Sequence, residues 1–194
     1  QGHMQTRAIA TLFHIEELRI YDVSRPALER FRADMQDVVP GRIILCDEPS
    51  QAAKGDAVIC VTQSKDEFLK EAWLAPDTIV FPMGSYQECE DAVLLHADKI
   101  VVDHVEQTMH RGALSKLVSQ GKLNESSITC TIGQLAAGKV QLERKPGERL
   151  VCIPIGTGAM DIGCASVVYQ RALEQGRGQF FDFGVSSATQ APQN

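Results

Sequence analysis

Asp56-Ala57-Val58-Ile59-Cys60-Val61-Thr62 decides how the rest of the chain is read. A carboxylate introduces an unbroken apolar run and a hydroxyl closes it. Such a run, without polar alternation, suits a strand of a parallel sheet covered on both faces. Similar runs recur on either side, at Leu18-Arg19-Ile20-Tyr21-Asp22, Arg42-Ile43-Ile44-Leu45-Cys46, Thr78-Ile79-Val80-Phe81, Ile100-Val101-Val102-Asp103 and Leu150-Val151-Cys152-Ile153-Pro154. Helical stretches lie between them. Residues 5–14 carry Ile9, Leu12 and Phe13 at helical spacing. Ser24 as N-cap and Pro26 in the first turn open a helix that runs through Met35. Further helices are predicted over Asp66–Ala72, Cys89–His96, Val105–Val118, Ile132–Ala137 (closed by Gly138) and about Met160–Glu174, with Gln141–Arg149 as a loop. Short apolar strands alternating with helices mean βαβ units. The expected fold class is therefore α/β, a doubly wound parallel sheet with helices on both faces.

Composition narrows the function classes. The chain has 194 residues, 44% of them hydrophobic and 23% charged, as in an ordinary soluble domain. One domain is expected over residues 1–185, with a mobile Ser-, Ala-, Gln- and Pro-rich tail at 186–194. The net charge of −6 argues against nucleic acid or an anionic membrane as a partner. No apolar run approaches the roughly 18 residues of a membrane span, and no secretory pattern opens the chain. None of the six cysteines is spaced as CxxC, and several sit in apolar runs. They read as buried thiols of a reducing, cytoplasmic protein rather than as metal or redox groups. No metal site is expected. His104 and His110 stand six positions apart, which does not place them on one helical face. Asp98 and Asp161 read as turn and N-cap residues.

In an open parallel sheet, ligands bind beyond the carboxyl ends of the strands. The first complete strand ends at Asp22. A carboxylate at such a position can accept hydrogen bonds from the ribose hydroxyls of an adenine dinucleotide, and it repels the 2′-phosphate of NADP. Asp22, Val23, Ser24 and Arg25 are therefore candidate cofactor contacts. Arg25 opposes that repulsion, so the reading leans to NAD and leaves NADP open. Capping of a turn is the plain alternative for Asp22. Val61, Thr62 and Gln63 end the long buried strand, and Met83, Gly84 and Ser85 end the next. Both triplets place small or polar groups where a sugar or nicotinamide ring would lie, although ordinary βα loops look the same. Glu88, in the acidic stretch Tyr86-Gln87-Glu88-Cys89-Glu90-Asp91, is a candidate base or ammonium clamp. The alternative is a solvated first helical turn favoured by the helix dipole. No GxGxxG follows any strand.

Five stretches in order resemble the ornithine cyclodeaminase/mu-crystallin family. They are Ile15–Asp22, Asp56–Thr62, Ala97–Asp103 with Glu106-Gln107, Ile132–Lys139, and Gly156–Ile162 with Tyr169 and Ala172. The resemblance runs from about Gln5 to Leu173. It implies a Rossmann-type domain binding NAD or NADP, and hydride transfer at the Cα–N bond of an amino acid or imine. In the family a GxGxQ turn precedes the first helix, and Gln1 falls where that glutamine would stand. The first strand and the glycine-rich loop are then expected upstream of Gln1, together with an N-terminal substrate and dimerisation domain, so a homodimer is implied. Gln1-Gly2-His3-Met4 also reads as the scar of an expression tag. The 194 residues alone are expected to bind cofactor weakly, for want of the phosphate loop. One departure stands out: cyclodeaminases carry an aspartate where Ser85 stands. A serine is not a comparable base, and Glu88 would have to substitute for it. A dehydrogenase, a reductase or a non-catalytic NAD(P)-binding protein of the mu-crystallin kind then fits better than ornithine cyclisation.

Overall fold

The computed structural model describes residues 1–181. The chain divides into two compact units, Gln1–Ile155 and the segment from Gly156 onward. The first unit begins with helix α1 (Gly2–Ala10), strand β1 (Glu17–Ile20), α2 (Arg25–Met35), β2 (Arg42–Leu45) and the single turn α3 (Pro49–Ala52). It continues with β3 (Ala57–Cys60), β4 (Ile79–Pro82), α4 (Asp91–Leu95), β5 (Lys99–Val102), α5 (Val105–His110) and α6 (Ser115–Ser119). It closes with β6 (Cys130–Thr131), α7 (Ile132–Ala136) and β7 (Leu150–Ile153).

Every strand pair is parallel. The architecture is the expected α/β class, but the ladder is not continuous. Strands β1 and β2 form one sheet, and the others form a second in the order β3-β4-β7-β5-β6. Among the described residues β1 pairs only with β2, and β3 only with β4.

Alternation along the five-stranded sheet separates two cores. Val80, Val102, Val151 and Ile153 point to one face, where Val93 and Leu94 of α4, Met109 of α5 and Leu117 of α6 cover them. Val101, Leu150 and Cys152 point to the other, under Ile132 and Leu135 of α7 and the loop residues Val140 and Leu142. All four residues of the central β7 are buried, as a strand covered on both faces requires. The run that opened the sequence reading behaves differently. In β3 only Val58 and Cys60 are buried, because β3 is an edge strand of this sheet and its other face is not fully covered. The two-stranded sheet is tightened by Gly41, where a Cβ would lie 2.0 Å from the Glu16 carbonyl oxygen. Only glycine lets the start of β2 approach β1 this closely.

One predicted helix is absent and another is split in two, for identifiable reasons. Asp66–Ala72 is not an α-helix: Asp66 lies in a bend, Leu69 in a β-bridge, and a short 3₁₀ turn follows at Glu71–Trp73. Leu69 instead forms a bridge with Cys89, its N–H donating to the Glu88 carbonyl while the Glu90 N–H donates back. Leu69 is buried in the process, so tertiary packing overrides local propensity. The single helix predicted over Val105–Val118 is two, α5 and α6. Arg111 is extended and Gly112 has φ +79°, a conformation that ends α5. The helix expected at residues 5–14 runs earlier, and α3 and β6 lacked a sequence signal because each is so short.

The second unit holds helix α8 (Gly158–Glu174), with Thr157 at its N-cap and Asp161 in its first turn. None of its residues is buried, and Met160, Ile162, Val167, Val168, Tyr169 and Leu173 are exposed. The tail expected to be mobile lies outside the described residues.

Candidate functional site

The candidate residues gather at the carboxyl ends of the strands. Beyond β3 and β4 the organiser is Glu88, which is completely buried. One of its oxygens, Oε1, accepts from the Thr62 N–H at 2.6 Å and the Thr62 hydroxyl at 2.7 Å. The other, Oε2, accepts from the Gly84 N–H at 2.7 Å. A single carboxylate thus ties together the two triplets singled out in the sequence, Val61-Thr62-Gln63 and Met83-Gly84-Ser85. A backbone hydrogen bond from Met83 to the Cys60 carbonyl adds a second tie at 2.9 Å. Gly84 has to be glycine for this latch to close, since a Cβ there would lie 2.5 Å from the Glu88 carboxyl carbon. The Glu88 side chain faces its three donors inside the protein. Thr62, Gln63 and Ser85 are exposed, and Val61 and Met83 half-buried.

The turn between β1 and α2 is built differently. Asp22 is exposed, and its Oδ1 accepts from the Ser24 N–H at 2.8 Å. The turn capping weighed above is therefore real. It uses one oxygen, and among the described residues the other accepts no hydrogen bond. Ser24 caps α2, its hydroxyl accepting from the Ala27 N–H at 3.4 Å, and Val23 is exposed. Arg25 is held by Asp47, just beyond β2, at 3.2 Å and by Glu29 at 3.3 Å.

Between the ends of β4 and β7 lies a small cleft of about 30 Å³. Gly84, Ser85, Arg111 and Pro154 are among the residues that line it. The acidic stretch after Ser85 is divided by burial. Glu88 is inside, Glu90 accepts from the Glu71 N–H at 2.5 Å, and Asp91 pairs with Lys116 at 2.8 Å. Hydrogen bonds from Lys116 and Gln87 hold the Asp91 carboxyl below its ordinary value. Hydrogen bonds from Arg149 and His96 do the same for Glu71. Five cysteines are buried and free, and Cys164 is exposed. Burial pushes the Cys89 thiol up to about 12, with the Glu88 charge adding to it, and burial pushes Cys152 up to about 11. These are inert core thiols. His104 caps α5, its Nδ1 accepting from the Gln107 N–H at 3.3 Å, and Asp98 accepts from the Arg149 N–H at 2.8 Å.

Sequence reading missed two residues of this rim. Asp47 carried a signal, a carboxylate directly after an apolar run. Arg111 carried none, since its place depends on the turn at Gly112.

Parallel strands, helices on both faces of the larger sheet and polar loops gathered at strand ends define a doubly wound, Rossmann-type domain. The chain belongs to the ornithine cyclodeaminase/mu-crystallin family, whose model matches residues 1–176. It is 28% identical to the alanine dehydrogenase of Archaeoglobus fulgidus over 187 residues, covering 94% of this chain and 57% of that protein. A Bacillus cereus Delta(1)-pyrroline-2-carboxylate reductase is 24% identical over 182 residues, with 91% of this chain and 56% of that one covered. Among solved structures, an archaeal alanine dehydrogenase dimer with bound NAD superposes with a TM-score of 0.82 at 28% identity, over 94% of this chain and 57% of that one. The Thermococcus litoralis Delta(1)-pyrroline-2-carboxylate reductase, in complex with NADH and L-proline, gives a TM-score of 0.86 at 20% identity, covering 93% and 58%, and bears on the fold. The chain spans little more than half the length of these relatives.

Proposed function

We propose that the protein is an NAD(P)-dependent oxidoreductase acting on the C–N bond of an amino acid or imine, and that these residues supply its nucleotide-binding part. The observation that carries the reading is Asp22: an exposed carboxylate at the end of β1, anchored through one oxygen, with the other free to accept from a ribose hydroxyl. Thr62 and Gly84, fixed by Glu88, would flank the cofactor further along. Glu88 holds these loops and is a positioning residue rather than a base. Ser85 stands exposed where a cyclodeaminase-type base is wanted, so a dehydrogenase or reductase is favoured. The bound nicotinamide would supply the hydride acceptor or donor.

NAD is the preferred nucleotide. Asp22 opposes a 2′-phosphate, and Arg25, the next cation along the chain, is already engaged by Asp47 and Glu29. The break between the two sheets supports a further strand between β1 and β3. In doubly wound order 3-2-1-4-5-6, β2 and β1 would be the third and second strands and β3 the fourth, which leaves the place of the first open. A glycine-rich turn after that strand would reach the phosphates. The dimeric archaeal relative supports a homodimer, and five buried free thiols suit a reducing cytoplasm.

The test uses the full-length natural protein. NADH and NADPH are titrated by nucleotide fluorescence, and turnover is followed with a panel of amino acids, 2-oxo acids with ammonia, and cyclic imines. The expected result is tighter binding of NADH than NADPH, with hydride transfer to or from at least one substrate. Failure to bind either nucleotide overturns the reading, and binding without turnover across the panel overturns its enzymatic half.

A further inference from the structure

Asp22 has a counterpart on the neighbouring strand. Ile20 of β1 is level with Leu45 of β2, and the Cys46 N–H donates to the Ile20 carbonyl at 2.8 Å. Asp22 and Asp47 each stand two positions beyond that matched pair. Two like charges therefore follow the ends of adjacent strands, which lie about 4.8 Å apart. Arg25 is the one cation of the turn Asp22-Val23-Ser24-Arg25. Its guanidinium reaches from α2 to the loop after β2, where Nη1 meets Asp47 at 3.2 Å, while Nη2 meets Glu29 at 3.3 Å. Glu29 is itself paired with Arg32 at 2.5 Å. These two arginines and two carboxylates balance one another, which leaves over the charge of Asp22. The loop that presents Asp47 is fixed in its turn. The Gln51 side-chain oxygen of α3 accepts from the Asp47 N–H at 3.0 Å and from the Glu48 N–H at 3.3 Å. A phosphate monoester carries a charge of about −1.5 to −2 at neutral pH. To settle beside Asp22, a 2′-phosphate needs a cation, and Arg25 would have to leave two carboxylates to provide it. A ribose hydroxyl needs none.

We propose that Asp47 is a specificity-determining residue of the nucleotide site and acts through Arg25. By holding the guanidinium at the end of β2, it withholds the counter-charge that a 2′-phosphate requires. Selection of NAD over NADP is then a joint property of the two strand-end aspartates, and Asp22 alone does not set it. The inference rests on the function proposed above.

The experiment uses the full-length natural protein. Dissociation constants for NADH and NADPH are measured by nucleotide fluorescence, and circular dichroism monitors folding. The proteins compared are wild type, Asp22→Asn, Asp47→Asn, Asp47→Glu, Asp22→Asn with Asp47→Asn, and Asp47→Asn with Arg25→Met. Exposed ion pairs shift an equilibrium only a few fold, so Asp47→Asn should lower the preference for NADH about two- to fivefold. The double asparagine variant should lower it by more than the product of the single changes, because Arg25 is then both released and unopposed. Asp47→Glu, which keeps the charge, should resemble wild type. Adding Arg25→Met to Asp47→Asn should restore the wild-type ratio. An unchanged ratio in Asp47→Asn overturns the proposal. So does a gain in NADPH binding that survives Arg25→Met, since Asp47 would then repel the phosphate directly, and so does a wild type that prefers NADPH. A wild type that binds neither nucleotide overturns the function proposed above and this inference with it, whereas NADH binding with an unmoved ratio overturns this inference alone.

Discussion

Two strand-end carboxylates of this protein have opposite fates. Glu88 lies wholly inside, and both its oxygens are consumed by the protein's own donors. Asp22 lies in solvent with one oxygen anchored and the other open. Residue type does not separate them; the company each keeps does. A buried carboxylate needs its partners supplied internally, because desolvation without hydrogen bonds is costly. It therefore becomes part of the frame. An exposed carboxylate held by one turn hydrogen bond is already oriented yet still able to accept from a ligand. In the proposed site, the β3–β4 rim would thus be the fixed half and the β1–β2 rim the receptive half.

Substitutions can break or sharpen this contrast. Glu88→Ala should have the largest effect. It leaves the Thr62 and Gly84 N–H groups without their acceptor and opens a void, with an expected loss of about 3 kcal/mol of stability. Urea unfolding measures it, and a loss below about 1 kcal/mol would remove Glu88 from the frame. Gly84→Ala should follow, at about 2 kcal/mol, because the added methyl overlaps the Glu88 carboxyl group. On the receptive side, Asp22→Ala in the full-length protein should weaken NADH binding about tenfold or more, by loss of a charge-assisted hydrogen bond, with the melting temperature nearly unchanged. A variant that melts early and binds normally would reverse the roles assigned to the two rims. Asp47→Asn should act more gently. It frees Arg25 from an exposed pair worth about 0.2–1 kcal/mol, so the NADH-to-NADPH affinity ratio should fall roughly two- to fivefold.

The smallest expected effect is on acid stability. Lys116 holds the Asp91 carboxyl below its ordinary value by a hydrogen bond. Because the folded value is the lower one, this pair stabilises the protein at pH values above the unfolded carboxylate range. The contribution fades as pH falls through the folded value. Lys116→Met should therefore be slightly less stable than wild type at neutral pH, and the two should converge in strong acid. Melting curves across that range provide the check, and a gap that widens toward low pH would contradict the sign.

What the sequence disclosed follows from the same physics. The six strands read from it are runs whose apolar residues must be buried, and burial of a run is a local property. Asp66–Ala72 misled because the conformation of Leu69 is fixed by Cys89, twenty positions away. Glu88, Glu90 and Asp91 look alike in sequence, and nothing local says which of them turns inward. Asp22 could be found because its place follows from the end of a strand. Arg111 could not, since it reaches its cleft through the turn at Gly112 and through strands distant in the chain.

Strand β7 is the last strand of the first unit to be synthesised, yet it lies between β4 and β5. Until it leaves the ribosome, the larger sheet exists as two halves, each exposing an unsatisfied backbone edge and bare aliphatic side chains. Assembly must therefore wait for residues 150–153, which makes folding non-local and slow to begin. The nascent chain should be a client for holding chaperones through most of its translation, and a truncation just before Leu150 should leave an aggregating product rather than a smaller stable domain.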